Sequence, residues 1–227
     1  KRLLVMGGGP IGCEMAQFFQ RLGSEVMIMD SMPNLLPRED DDVIQLVEST
    51  FSSEGVQLGM GATIHRFEKT ESGGKVYYSS QGTEKEWEFH RVLVAAGRRP
   101  NTEGFGLETL GIEKNANGTL RVNEYLQTTC PSIYACGDVA GPYQFTHTAS
   151  YQAWYCSVNS LFHTFKKFAV DYRVIPWCTY TDPEVARVGL NEKEAKEKGV
   201  EYQVAIYGLD DLDRAITDRE DRGMVKV

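Results

Sequence analysis

The chain has 227 residues, 41% of them hydrophobic and 25% charged, an ordinary composition for a globular protein with a substantial core. Its formal net charge of −8 argues against nucleic acid and anionic membranes as partners. No apolar run approaches the roughly 20 residues of a membrane span, and no signal peptide is visible. We therefore expect a cytoplasmic protein that binds neither nucleic acid nor membrane.

The first 60 residues alternate between short apolar runs and helical patterns. Residues 3–6 and 26–29 are typical of buried strands, and residues 56–60 predict a third strand. The acid run before Val43 favours the start of a second helix rather than a metal site, and Gly55 ends that helix. Apolar residues at helical spacing predict the first helix, ended by Gly23: Ile11, Met15, Phe18, Phe19 and Leu22.

The pattern then changes to partly exposed strands. The stretches "IHRFEKT", "KVYYSS" and "EKEWEFH" predict an antiparallel meander, with turns at 72–74 and at Gln81-Gly82. Residues 91–97, "RVLVAAG", predict another buried strand. The fold class is therefore α/β, with a Rossmann-like parallel sheet and an antiparallel meander insertion.

The second half contains fewer regular patterns. The stretch "IYACGDVAG" at 133–141 predicts a strand and then a loop, a helix is expected over about 148–165, and strands with one helix follow. Cys130 and Cys136 flank the predicted strand, whose length would hold them roughly 20 Å apart, so we expect two buried thiols rather than a disulfide. The five cysteines and four histidines form no zinc pattern, and we predict no metal site.

The stretch "MGGGPIGCE" at 6–14 has the G-x-G-x-x-G spacing of a dinucleotide-binding turn, with a predicted strand before it and a helix after it. Gly7 would make the tight turn, Gly9 would let the pyrophosphate approach the backbone, and Gly12 would let the helix pack against the strand. Pro10 suits the helix start, and the first helical turn, with Ile11, would direct its free N–H groups at the phosphates.

Asp30 follows the second strand, 18 residues after Gly12, where an acid that binds the adenine ribose belongs. Its carboxylate would repel a 2′-phosphate, and no basic residue follows it directly, since Arg38 is too distant. These residues predict NAD as the cofactor, with NADP the less favoured alternative. A second alternative is a doubly wound domain whose glycine-rich turn binds no ligand.

Four motifs occur in order along the chain: "GGGPIGCE", "VLVAAGRRPN", "IYACGDVAG" and "TDPEVARVG". Together they resemble the FAD-dependent pyridine nucleotide-disulfide oxidoreductases, and the resemblance covers essentially the whole chain. The details "FTHTASYQA" and "LDRAITDRE" are most similar to mercuric reductase-like members. The resemblance implies an NAD-binding domain at 1–97, the returning part of an FAD-binding domain at 98–170, and the start of an α+β interface domain at 171–227, through which the full-length protein would form a homodimer.

The resemblance also implies site residues. On the flavin side, Gly137 and Asp138 match a pair that contacts FAD, with the carboxylate accepting bonds from ribityl hydroxyls, and Thr146 matches a segment beside the flavin ring. On the NAD side, Glu14 matches a glutamate near the nicotinamide and Ile64 an apolar residue near the adenine. A further segment matches one that closes over the NAD site, and it consists of Ala95, Ala96, Gly97 and Arg98.

Three features of the family are missing from this chain: the C-x-x-x-x-C redox pair, the first FAD-binding glycine motif, and the acid-base histidine near the C-terminus. We therefore expect a piece of a longer protein, with no catalytic residue of its own, whose parent transfers hydride from NADH to FAD and on to a disulfide or a small-molecule acceptor. Two alternatives stay open. One is a related flavoprotein without redox cysteines, such as a transhydrogenase or quinone reductase, and the other is a non-enzymatic nucleotide-sensing module.

Overall fold

A computed structural model describes residues 1–80 and 82–227. It divides into two compact units, which are described separately: the first contains residues 1–97 and 178–227, and the second contains residues 98–177. Gln81, in one of the predicted turns, lies outside the described residues. In the described part of the chain, every helix is too short or too polar to cross a membrane.

The first unit is built on a four-stranded parallel sheet. Its strand order is β3-β2-β1-β7, and β4, β5 and β6 form a separate antiparallel sheet between β3 and β7 in the chain. The predicted α/β class, with its parallel sheet and antiparallel meander, is therefore confirmed. The strands are β1 (Arg2–Met6), β2 (Glu25–Met29), β3 (Gln57–Gly59), β4 (Thr63–Lys69), β5 (Gly74–Ser80), β6 (Thr83–Phe89) and β7 (Arg91–Val94), and the helices are α1 (Pro10–Arg21) and α2 (Asp41–Ser53).

Both faces of the parallel sheet are covered, as is usual for parallel strands. Val5 and Ile28 pack with Phe51 of α2 in one buried cluster. Leu4 and Met27 pack in a second cluster with residues of the meander. Successive side chains of β1 and β2 therefore point to opposite faces, which explains why every residue after Arg2 in β1 and after Glu25 in β2 is apolar.

The residues that predict α1 are only partly buried: Phe19 packs against the core and Met15 is half-buried, but the other three are exposed. The structure exposes Ile11 by 45%, Phe18 by 52% and Leu22 by 67%. The buried face carries small residues because the helix lies very close to the strand before it. The buried residues are Gly12, Cys13, Ala16 and Gln17.

Two sequence-based strand predictions were wrong in part. Residues 91–97 were expected to be a buried strand, but β7 ends at Val94, and Val92 and Val94 are exposed because β7 is an edge of the sheet. Residues 133–136 form no strand, and Tyr134 makes only an isolated bridge to Gln127. The chain turns at Gly137, which has a φ of +77°, before a longer ladder can form.

The second unit contains α3 (Thr146–Phe162), near the predicted 148–165, and two 3₁₀ turns, at Glu108–Leu110 and Gly137–Val139. The remaining elements, from residue 177 onward, are β8 (Trp177–Thr179), β9 (Val185–Arg187), α4 (Glu192–Glu197), β10 (Ile206–Gly208), α5 (Asp213–Asp218) and β11 (Met224–Lys226). All five cysteines are free thiols, but Cys130 and Cys136 are only partly buried, so the expectation that both are buried was wrong.

An ion cluster joins the start of α2 to the C-terminal segment of the first unit. The Asp40 carboxylate accepts the backbone N–H groups of Glu192 and Lys193, both at 3.1 Å. The Lys226 ammonium lies 3.0 Å from Asp40, 2.8 Å from Asp42 and 2.6 Å from Glu192. The predicted helix start is confirmed, and Asp40 also stabilises the first turn of α4.

We expect this cluster to make the first unit sensitive to acid. Burial acts to raise the pKa of Asp40, but hydrogen bonds from Lys226 and from the backbone of Glu192 and Lys193 outweigh it, so the pKa lies below its ordinary value of 3.8. A carboxyl whose pKa is lowered by folding stabilises the fold at any pH above its unfolded-state pKa. This contribution is lost as the pH falls below about 4. Urea unfolding between pH 7 and pH 3 should show this loss, and Asp40→Asn should have a smaller pH dependence. Equal slopes in the two proteins would contradict the assignment.

Candidate functional site

The glycine turn connects β1 to α1 at the C-terminal edge of the parallel sheet. The Gly7 N–H donates to the Met29 carbonyl at 2.8 Å, and its φ of +117° is one that favours glycine. A Cβ on Gly7 would lie 2.5 Å from the Ala95 carbonyl oxygen, and a Cβ on Gly12 would lie 1.9 Å from the Gly7 carbonyl oxygen. A Cβ on Gly9, by contrast, would meet nothing within 4 Å. Two glycines are therefore needed for packing, and the third borders open space.

The N-terminus of α1 opens beside this turn. Gly9 is the N-cap without a side-chain cap, Pro10 is the first helical residue, and the Cys13 N–H makes the first helical bond, to the Gly9 carbonyl at 3.0 Å. The N–H groups of Ile11 and Gly12 therefore have no partner within the helix. Unpaired N–H groups and the helix dipole make such an end suitable for an anion such as phosphate.

The Asp30 carboxylate lies directly beside the turn. One oxygen accepts the Gly8 N–H at 2.7 Å, and the other accepts the Met32 N–H at 2.8 Å. Because Asp30 follows β2, which pairs with β1, the parallel register brings it to the same edge as the glycines. The structure thus holds a negative charge at a fixed position next to the N-terminus of α1.

The other predicted NAD-site residues of the first unit make contacts in different places. The Ala95 N–H donates to the Met6 carbonyl at 2.8 Å, so the segment from Ala95 through Ala96 to Gly97 leaves the sheet next to Gly7. Ile64 on β4 packs against the buried cluster that the sheet forms with the meander. Glu14 is turned toward a later segment, where its carboxylate accepts the Tyr180 N–H at 2.9 Å.

In the second unit, Arg98 and Asp138 form an ion pair. The Arg98 guanidinium lies 3.2 Å from the Asp138 carboxylate and donates to the Gln144 carbonyl at 2.9 Å. The two side chains are 46% and 49% exposed, so the pair contributes no more than about 0.5 kcal/mol to stability. Arg98, expected from the resemblance on the NAD side, is therefore bonded to the residue expected on the flavin side.

Two buried glutamines were missed by the sequence analysis. Gln152 on α3 accepts the Gly137 N–H and donates to the Gly141 carbonyl at 2.8 Å, which fixes the loop that carries Asp138. Gln17 on α1 bonds the backbone of Asp182. The sequence contains one signal for Gln17: it is a polar residue four positions after Cys13, on a helix face whose other residues are small. Thr146 is exposed at the start of α3.

Three of the five cysteines have thiols whose pKa is raised. Burial, followed by the charge of Glu14, raises the pKa of Cys13 to about 12. Burial likewise raises the pKa of Cys156 to about 12 and raises that of Cys178. Such thiols stay protonated at neutral pH and react slowly. Within residues 1–80 and 82–227, no group of three or more His, Cys, Asp or Glu side chains could hold a metal ion.

Comparison with known proteins gives concordant matches along the chain. A family model described as pyridine nucleotide-disulphide oxidoreductase matches residues 1–153, and the dimerisation domain of that family matches residues 175–227. A mercuric reductase from Lysinibacillus sphaericus is 38% identical and aligns with 100% of this chain and 41% of its own length. A dihydrolipoyl dehydrogenase from Thermus scotoductus is 37% identical, with 100% and 49% covered.

Among solved structures, the HOCl-induced flavoprotein disulfide reductase RclA from Escherichia coli superposes with a TM-score of 0.84 at 31% identity. The match covers 99% of this chain and 51% of that protein. The chain therefore spans about half the length of the proteins that it matches.

Proposed function

The chain belongs to the pyridine nucleotide-disulphide oxidoreductase family, as its motifs predicted, and we propose that it is the NAD-binding portion of an NADH-dependent flavoprotein reductase. In this proposal residues 1–97 form the NAD-binding domain and residues 98–170 form the returning part of the FAD-binding domain. Residues 171–227 begin the interface domain through which the protein would form a homodimer. The separate match of the family's dimerisation domain to residues 175–227 supports the start of the interface domain near residue 171.

The observation that carries the proposal is the placement of Asp30 beside the glycine turn. Its carboxylate is held by the Gly8 and Met32 N–H groups, next to a helix N-terminus with unpaired N–H groups. A dinucleotide needs these two features together, because its pyrophosphate binds the N–H groups and its adenine ribose bonds the acid. The open space at Gly9 gives the pyrophosphate room to approach the backbone.

The second unit presents a carboxylate suited to the ribityl chain of FAD. Asp138 is half exposed, so its carboxylate can accept hydrogen bonds from the ribityl hydroxyls of FAD while Arg98 holds it in place. Gln152 fixes the backbone on both sides of Asp138 by bonding Gly137 and Gly141. We assign Gly137 and Asp138 to FAD on this basis, and Thr146 on the resemblance to the family.

When both cofactors are bound, the nicotinamide would supply a hydride and the flavin would carry the electrons to an acceptor. The residues of this chain would bind and orient the cofactors, because the sequence contains neither the C-x-x-x-x-C redox pair nor the acid-base histidine of the family. A disulfide or related acceptor is favoured by the description of the matched family and by that of RclA as a flavoprotein disulfide reductase.

Calorimetric titration of the chain with NADH tests the nucleotide site. We expect saturable binding of NADH with one site per chain, and weaker binding of FAD, since the chain contains only one of the family's two glycine motifs. Failure of the chain to bind NADH at millimolar concentration would overturn the assignment of the glycine turn. FAD binding as tight as in an intact flavoprotein would overturn the expectation for the flavin side.

Asp30→Asn should relax the preference for NADH over NADPH. The neutral amide no longer repels a 2′-phosphate, and we expect the affinity ratio of NADH to NADPH to fall by roughly tenfold. Calorimetry with both nucleotides measures the ratio. Asp211→Asn is the matched control, since it removes an exposed carboxylate from the same unit without touching the turn. An unchanged ratio in Asp30→Asn would contradict the role of Asp30 in selectivity.

A further inference from the structure

Helix α1 carries three polar side chains that contact one later segment, the loop formed by residues 180–183. The Glu14 carboxylate accepts the Tyr180 N–H at 2.9 Å. The Gln17 side chain accepts the Asp182 N–H and donates to the Asp182 carbonyl, both at 2.8 Å. Arg21 lies 2.7 Å from the Asp182 carboxylate. Glu14, Gln17 and Arg21 are three and four residues apart, so they share one face of the helix.

Gln17 is the strongest of these attachments. It is only 4% exposed, and it bonds both the N–H and the carbonyl of Asp182. Two hydrogen bonds to one residue fix its orientation as well as its distance from α1. Arg21 is 46% exposed, and the Asp182 carboxylate is 50% exposed, so their ion pair contributes little. Of these two residues, Gln17 therefore contributes more than Arg21 to holding the loop, and with it Tyr180, beside α1.

We propose that Gln17 is a positioning residue for the dinucleotide site, because it fixes the loop whose Tyr180 N–H holds the Glu14 carboxylate. This inference rests on the proposed function, in which the pyrophosphate binds at the N-terminus of α1. Glu14 lies about one turn inside that helix. Once released, its carboxylate would be a mobile negative charge near the phosphates, and repulsion would weaken dinucleotide binding.

The test compares Gln17→Met with Gln20→Met in the 227-residue chain. Gln20 is a matched control on the same helix, since it also bonds backbone groups at both ends of its amide, those of Glu54 and Val26. Both variants should lose stability to a similar degree. Only Gln17→Met should weaken NADH binding, with Kd raised roughly fivefold.

Two further measurements separate positioning from general loosening. In a Glu14→Ala background, Gln17→Met should have no additional effect on the Kd for NADH, because the carboxylate that it controls is gone. Hydrogen exchange at the Tyr180 amide should speed up in Gln17→Met and in Glu14→Ala, but not in Gln20→Met. Tyr180→Pro, which removes the N–H while leaving Gln17 in place, should raise the Kd by the same factor if Gln17→Met does not fold.

The outcomes distinguish this inference from the function on which it rests. If the unmodified chain binds NADH and the Gln17 and Gln20 variants share its Kd, Gln17 is only structural and the inference is overturned. The inference would also be overturned if the factors by which Gln17→Met and Glu14→Ala change the Kd for NADH multiply in the double variant. If the unmodified chain binds no NADH, the proposed function fails together with it.

Discussion

Gly9→Ala should weaken NADH binding by at least tenfold while changing the free energy of unfolding by less than about 1 kcal/mol. Gly9 has a φ of −78° and a ψ of −178°, which alanine adopts freely, and its Cβ would meet no atom within 4 Å. Alanine is a poorer N-cap than glycine, but it also restricts the unfolded chain, and the two effects oppose each other. The new methyl group would occupy the space through which the pyrophosphate approaches.

Gly12→Ala provides the contrast, because its Cβ would lie 1.9 Å from the Gly7 carbonyl oxygen. The clash is with backbone, so the turn or the helix must move, and we expect a loss of about 3 kcal/mol or more of stability together with a loss of binding. Urea unfolding and calorimetry on the two variants separate the roles of the two glycines. Unchanged NADH affinity in Gly9→Ala would mean that the dinucleotide does not bind across this turn.

The features that could be predicted from the sequence are those that depend on neighbouring residues. A strand, a glycine turn and a helix follow one another directly, and Asp30 reaches the turn because β2 pairs in parallel with β1. Period-two patterns likewise predicted the meander before any contact was known. The parallel sheet with its antiparallel insertion could therefore be predicted from the sequence with little error.

The contacts that could not be predicted join residues far apart in the chain. Glu14 and Tyr180 are 166 positions apart, and Gln17 and Asp182 are 165 apart, so no local pattern marks either pair. The exposed face of α1 was misleading for a related reason. Its large apolar residues have helical spacing, but close packing on β1 selects the small residues around Gly12, because only they fit.

Lys226→Met should destabilise the first unit by about 3 kcal/mol at pH 7. The Lys226 side chain is 16% exposed and its ammonium contacts three carboxylates, of which Asp40 is 8% exposed. Removing the ammonium leaves these negative charges close together, with Asp40 shielded from water. Arg214→Met is the control in the same unit, since Arg214 is 82% exposed and pairs with Asp218, which is 42% exposed, so its loss should cost less than about 0.5 kcal/mol.

The pH dependence of the same variant gives a sharper test than its stability at one pH. Lys226 is the main group that lowers the pKa of Asp40 against the opposing effect of burial. Without it, burial and the neighbouring carboxylates should raise the pKa of Asp40 above its unfolded-state value, and a carboxyl with a raised pKa regains stability as the pH falls through that pKa. Between pH 7 and pH 5 the unfolding free energy of Lys226→Met should therefore rise relative to that of the parent chain. If the difference between the two proteins stays constant over this range, Lys226 stabilises the unit through the packing of its methylene groups rather than through its charge.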